Sequence, residues 1–207
     1  MKIEGESTVV SFSLDEIPDF TGETASVIIN GNEPFFAEDL LQEGIFLPEL
    51  DPLGRCGATM AVLTYEGMPR NEERGSLQGV KPAGWHTVRY DDLIEDKYLF
   101  NRCHLLGWQL TGLNDDTRNL ITGTRYLNVE GMLPYENQVA EYIRKTKQPV
   151  LYRVTPIYID SELIARGVEI EALSLTDDGE AVSINVYCYN NQPGIEIDYA
   201  TGESRRK

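Results

Sequence analysis

The 207-residue sequence predicts an α+β domain organised around a mostly antiparallel sheet. Three observations lead there. The last third of the chain alternates apolar and polar residues over four runs divided by turn residues. Pro134 to Lys145 instead repeats its apolar residues at helical spacing. Two strand-like runs and that helix form a central β-β-α unit from about residue 85 to residue 146, set between strands.

The elements follow in order. Residues 1 to 24 read as an irregular acidic lead-in. Ser26 to Asn30 (SVIIN) reads as a short strand. Asn30-Gly31-Asn32 is a turn signal, and Pro34 to Phe36 is expected to pair back. Phe36 to Glu43 is expected to form a helical turn. Residues 47 to 58 contain Pro48, Pro52, Gly54 and Gly57 and read as a loop. Met60 to Tyr65 (MAVLTY) is a strand. Glu66 to Gly84 holds four glycines, two prolines and the basic residues Arg70, Arg74 and Lys81. It reads as a long surface loop of the kind that carries function, with Arg74 and Lys81 as candidates for substrate binding.

Trp85 to Tyr90 (WHTVRY) and Tyr98 to Cys103 read as strands flanking an acidic turn, Asp91 to Asp96. Asn114 to Arg118 is a polar loop, and Leu120 to Gly123 a short, partly apolar run. Leu133, Val139, Tyr142 and Ile143 mark one helix face. Pro134 suits the first turn, and Lys145 and Lys147 suit the C-terminal end. Val150 to Ile159, Leu163 to Leu175, Val182 to Tyr189 and Ile195 to Tyr199 are strands. Asp177-Asp178-Gly179-Glu180 is a hairpin turn. Ser204 to Lys207 is expected to fray. Residues 1–50 form an acidic extension expected to pack on a single domain spanning 51–203.

Composition narrows the function. The net charge of −16 argues against a simple nucleic-acid binder. Its distribution softens that objection. Residues 51 to 149 hold 13 acids and 12 of the 18 basic residues, whereas residues 1 to 50 hold 11 acids and one base. A locally basic cleft on an acidic body is workable for an enzyme that must release a polyanionic product, with strong salt dependence. No run of 18 apolar residues occurs, and no apolar leader follows Met1. Cys56, Cys103 and Cys188 are too few for a disulfide framework, and no CxxC or HxxxH zinc spacing is present. Whether Cys56 and Cys188 pair depends on their distance.

Chemistry concentrates in Asn101-Arg102-Cys103-His104, followed by Asn119 and Asn128. His104 is one of two histidines, and imidazole is the side chain suited to act as a base near neutral pH. Arginine matches phosphate geometry. Asn119 and Asn128 offer neutral oxygen ligands to a hard metal such as Mg²⁺. Base, phosphate clamp and metal ligand together point to metal-assisted phosphodiester hydrolysis.

These residues, with Tyr135-Glu136, resemble the DNA/RNA non-specific endonucleases of the ββα-metal fold, and in particular the bacterial DNA-entry nuclease type. The resemblance covers roughly residues 60 to 200 and is sharpest from 84 to 142. It implies a ββα-metal nuclease core within the mostly antiparallel sheet, acting on DNA, with RNA a further candidate substrate, and using one Mg²⁺, which Mn²⁺ can replace. By resemblance, His104 matches the general base that activates water. Asn128 matches the asparagine on the metal, and Asn119 an upstream asparagine that supports the site. Glu136 matches the glutamate that holds metal-bound water, and Arg102 the arginine of the motif. The family motif is usually Asp-Arg-Gly-His. Here Asn101 replaces the aspartate and Cys103 the glycine. Ala140 stands one helical turn after Glu136, where relatives often have an arginine that stabilises the leaving group. Arg125 and Arg144 are candidates to replace it.

Each residue has a plainer reading. His104 can be a core histidine, Asn128 a helix cap, Asn119 a turn former and Glu136 a helix-dipole partner. Arg102 can pair with Asp91 or Asp96 across the hairpin. His86 reads as structural. Two rival functions follow. One is a catalytically degenerate nucleic-acid- or partner-binding module, motivated by Asn101, Ala140 and the acidity. The other is a thiol hydrolase using Cys103, disfavoured because neighbours on a strand point to opposite faces. An unrestrained nuclease would damage its own cell. Export is therefore expected, with the leader absent from this chain, or else a protein inhibitor in the cytoplasm.

Overall fold

The computed structural model describes residues 12–36, 44–70 and 72–207. Its first strands are β1 (Ser26–Ile28), β2 (Ile45–Phe46) and β3 (Thr59–Leu63). After a long connection come β4 (Phe100–His104), the short helix α1 (Trp108–Thr111) and β5 (Leu120–Thr124). A π-helical segment (Leu127–Met132) then runs directly into α2 (Leu133–Thr146). Five strands complete the chain: β6 (Val150–Ile157), β7 (Gly167–Ser174), β8 (Ser183–Tyr189), β9 (Ile195–Ile197) and β10 (Ser204–Arg206).

The main sheet has the order β1-β8-β7-β6-β3-β2, with every pairing antiparallel. Strand alternation gives it two different faces. Val150, Tyr152, Val154, Val168, Ile170, Ile184 and Val186 face the core shared with Val139, Ala140 and Ile143 of α2. The opposite face carries Arg153, Glu169, Glu171 and Asn185, all buried. Arg153 Nε donates to Glu171 Oε2 at 2.6 Å, and Phe35 N–H donates to Glu171 Oε1 at 2.8 Å. The chain around Phe35 thus crosses the sheet's polar face, with its amide claimed by a side chain. It does not pair back on β1 as the turn signal predicts. The helical turn expected at Phe36 to Glu43 falls almost wholly outside the described residues.

The ββα unit is β4–β5–α2, a correction to the sequence reading. β4 pairs with β5 in the register Phe100↔Thr124 to His104↔Leu120. Trp85 to Tyr90 forms no strand and contributes a single bridge, Arg89↔Tyr98. Its side chains are used elsewhere: Trp85, Val88 and Tyr90 pack in a second core with Leu99, Ile164, Ile195 and Tyr199. The C-terminus does not fray. β10 pairs with β9, Arg205 binds Glu196, and Arg206 binds Asp92. Asp177 to Glu180 makes the β7–β8 turn as expected. The three cysteines are free and buried. Among the described residues no helix is long and apolar enough to cross a membrane.

Candidate active site

His104 ends β4, where the strand meets the loop before α1. It is only 6% exposed, yet both ring nitrogens are engaged. Arg74 Nη2 lies 3.2 Å from Nδ1, and Nε2 lies 2.7 Å from the Asn114 carbonyl oxygen. A guanidinium has no acceptor, so Nδ1 must accept from Arg74. Nε2 therefore carries the proton and donates it to Asn114. The basic lone pair faces the loop that brings Arg74. Burial holds the imidazole below its ordinary range, and the Arg74 charge pushes the same way, while the Asn114 carbonyl opposes them.

Asn119 secures the chain just beyond. It is fully buried, its Oδ1 accepts from Leu106 N–H at 2.8 Å, and its Nδ2 donates to Leu106 O at 3.0 Å. With both amide atoms used, it braces the turn after His104. The reading of Asn119 as an oxygen ligand fails for that reason.

Asn128 lies in the π-helical segment, a wider turn than an α-helix and a frequent feature of functional sites. Its Nδ2 donates to Asn101 Oδ1 at 3.1 Å. Among the described residues, no donor takes Asn128 Oδ1. Asn101 therefore accepts here the hydrogen bond that an aspartate would accept, fixing the Asn128 amide, but without the charge.

Glu136 sits in the first turn of α2. Its carboxylate lies over Gly107, where a Cβ would come within 2.5 Å of Oε2. The absent side chain at residue 107 makes room for it. Burial pushes the Glu136 carboxyl up to about 7, against the opposing pulls of a Gln109 hydrogen bond and the Arg74 charge. Arg74 therefore acts electrostatically on both His104 and Glu136.

Other candidates sit differently. Arg102 pairs with neither Asp91 nor Asp96. Its Nε donates to Val80 O, its Nη2 donates to Gln78 O at 3.2 Å, and its guanidinium lies 4.0 Å from the centre of the Trp85 ring. It anchors the loop that carries Arg74. Arg125 is held by Asp96 at 2.6 Å, and Asp91 is taken by Arg89. Arg144 stands eight residues after Glu136 on α2, about 12 Å along the axis, so the helix does not bring it to His104. Lys81 is exposed on the loop. His86 donates to or accepts no catalytic partner; its Nε2 lies 3.0 Å from the Thr201 carbonyl. Ala140 is fully buried, leaving no room for a long cation at that position. Cys103 is also fully buried, against Gly123, and burial pushes its thiol far up, which removes the thiolate nucleophile.

Sequence reasoning missed Asn114, Gly107 and Gln109. Asn114 acts through its backbone carbonyl, and Gly107 through an absent side chain, so neither has a residue-type signature. Gln109 depends on α1 facing α2.

Residues 39–175 match the family described as DNA/RNA non-specific endonuclease. The chain belongs to the DNA/RNA non-specific endonuclease family. A deoxyribonuclease of Streptococcus dysgalactiae subsp. equisimilis is 36% identical over 114 residues, 52% of this chain. The chain spans about a third of that relative's length, 33%. The structure of NucA from Streptococcus agalactiae with a magnesium ion bound superposes with a TM-score of 0.73 at 25% identity, covering 86% of this chain and 85% of that one. The structure of Sda1 nuclease with a bound zinc ion gives 0.66 at 29% identity, covering 79% and 81%. This family fold is the ββα-metal core seen in β4, β5 and α2.

The donor set here fits a hard cation. Among the described residues, no three His, Cys, Asp or Glu side chains cluster as a metal cage. What the site offers is the free amide oxygen of Asn128 and the Glu136 carboxylate. Oxygen donors without a nitrogen or sulfur cage suit a hard divalent cation better than a structural zinc.

Proposed function

We propose that the protein is a Mg²⁺-dependent endonuclease that hydrolyses phosphodiester bonds in DNA, with RNA a candidate second substrate, and with little sequence preference. Mn²⁺ would serve in place of Mg²⁺. The single observation that carries the reading is the His104 environment: a neutral, buried imidazole whose basic Nδ1 faces a guanidinium. In the free protein Arg74 donates into that lone pair. A phosphate draws the guanidinium to its own oxygens, and Nδ1 becomes free to take a proton from water. The water oxygen bonds to phosphorus, the bond to the leaving 3′ oxygen breaks, and that oxygen takes a proton from a water of the site. Asn114 keeps Nε2–H in place, so the proton is accepted at Nδ1.

Asn128 Oδ1 would hold the cation, with Asn101 fixing its direction, and Glu136 would accept hydrogen bonds from neighbouring water. When bound, the cation supplies positive charge against the phosphate oxygens, worth several kcal/mol in such sites. Asn119 and Arg102 position this machinery without touching the phosphate. Lys81, exposed on the loop, remains a peripheral contact for the backbone, whereas Arg125 is already paired with Asp96. Because the contacts go to phosphate, sequence selectivity should be weak.

The degenerate-module reading loses two of its motives. Asn101 preserves the orientation of Asn128, and Ala140 faces the core, with Arg74 bringing a cation from another element. Self-damage argues that the enzyme acts outside the cell that makes it, or is held by an inhibitor protein.

Supercoiled plasmid incubated with Mg²⁺, with EDTA, and with the His104→Ala protein tests the proposal. Metal-dependent nicking, reduced at least about 10²-fold in the variant, is expected for a general base. Full activity of His104→Ala would remove the base, and absence of nicking with any divalent metal would overturn the enzyme reading.

A further inference from the structure

We infer that Tyr65, Arg70 and Lys147 form a second subsite that binds the nucleic-acid backbone away from the scissile phosphate. The inference rests on the endonuclease reading above.

Lys147 Nζ lies 3.2 Å from the centre of the Tyr65 ring, and the Arg70 guanidinium carbon lies 5.1 Å from it. One half-buried ring therefore holds two exposed cations. Helix capping accounts for part of this: Lys147 ends α2 and donates to Arg144 O at 2.6 Å. It does not account for Arg70, which arrives on the same ring from the loop after β3. Nor does it use all three ammonium donors.

The cations on this ring, like Arg74, lie outside the ion pairs of the described residues. Eight arginines of the described residues sit in ion pairs with carboxylates. Among the described residues, Arg70, Lys147 and the adjacent Arg144 and Lys145 are in none of them. Glu66 and Glu141 are near in sequence, but Glu72 is engaged by the Arg70 backbone N–H. On a chain of net charge −16, unneutralised cations mark where a polyanion is tolerated.

The loop after β3 links the subsite to His104. Leu63 of β3 pairs with Val150, which brings Tyr65 to the C-terminal end of α2. The loop then passes α1, where Gly67 lines a hollow with Leu110 and Thr111. Pro69 lies against Gly112, and Arg74 reaches His104. Lys147, Arg70 and Arg74 thus follow one path. Arg70 and Arg74 are four residues apart, at most about 14 Å of chain. Their Cα atoms therefore lie no more than roughly four steps of a B-form strand apart, at about 3.4 Å per phosphate along its axis. Tyr65 acts as a post. By holding two long side chains in place, it lowers the rotamer freedom they lose on meeting a phosphate.

The test uses the full chain and the double variant Arg70→Ala/Lys147→Ala. Binding of a labelled single strand of about 30 nucleotides is followed by anisotropy in EDTA over a range of salt. Turnover of bis(p-nitrophenyl) phosphate, which fills only the scissile position, is measured with Mg²⁺. The expected result is a log Kd against log salt slope smaller by about 1.4, since each phosphate contact on a single strand contributes about 0.7. Affinity at low salt should fall about tenfold or more, with ester turnover unchanged. Tyr65→Phe keeps the ring and should bind as the parent does, whereas Tyr65→Leu should weaken binding. Arg70→Ala alone, on an exposed loop, gives half the slope change should Lys147→Ala disturb α2. An unchanged slope overturns the subsite. So does loss of ester turnover in the double variant, which would place these residues at the reacting phosphate. A parent protein that binds the strand with this slope yet cleaves nothing would sink the endonuclease reading and leave the subsite standing.

Discussion

His104 is constrained at both nitrogens, and its titration follows from what lies on each. Burial first, and Arg74 second, disfavour the imidazolium, so the folded pKa lies below the ordinary 6.5. With His104 as base and Glu136 needed as a carboxylate, kcat/KM should rise with pH through the lowered imidazole pKa and again as the Glu136 carboxyl, pushed up to about 7, ionises. The linkage has the same sign. The unfolded chain binds the proton more tightly, so the stability His104 contributes is present above 6.5 and is lost as pH falls through the folded pKa. Arg74→Ala removes the charge and the donor, so the imidazole pKa should move up and the acid limb of kcat/KM with it. Ring titration by NMR checks this directly. An acid limb unmoved by Arg74→Ala would detach Arg74 from the base. The proposed roles were partly readable in the sequence. His104, Asn128 and Glu136 stand in one recognisable cluster, but the contact between Arg74 and His104 spans 30 residues and has no local signal.

At the scale of elements, the loop between β3 and β4 is the least regular part of the site, and Arg102 holds it. The planar guanidinium donates to two loop carbonyls while stacked on Trp85. Lysine keeps the charge but cannot reproduce that fork. Arg102→Lys should therefore lower kcat/KM about 10- to 100-fold, as misplacement of a remote support does. It should also speed tryptic cleavage at Arg74, which Gly75 follows. Slower turnover with unchanged proteolysis would mean that Arg102 serves the phosphate and not the loop. Element legibility divides along the same line. α2 announced itself through its apolar spacing and its Pro134 start. β5 did not, because all five of its residues are buried and it contains Gly123, leaving no alternation to read. Trp85 to Tyr90 alternates like a strand but spends those side chains on the second core. The π-helical segment is hidden because one extra residue per turn barely alters a helical pattern over six residues.

Across the whole molecule, acidity and stability are arranged separately from the site. The Arg153–Glu171 pair lies inside the polar face of the sheet, with side chains 8% and 0% exposed. Burial raises the Glu171 carboxyl, and Arg153 with the Phe35 amide opposes that rise. Removing one partner strands the other charge. Glu171→Ala should cost about 3–5 kcal/mol in urea unfolding, whereas replacing both residues by apolar ones of similar volume should cost far less. A loss under about 1 kcal/mol for the single variant would mean that water reaches this face. The sheet's two outermost strands have another consequence. β1 has three residues and β2 has two, and both come from the acidic first 50 residues. They cover β8, seven residues long, and β3, five residues long. Long bare strands are templates for a neighbouring chain, whereas short ones flanked by carboxylates are poor templates. The acidic segment thus ends the sheet on both sides, and one molecule offers the next little backbone on which to grow an aggregate.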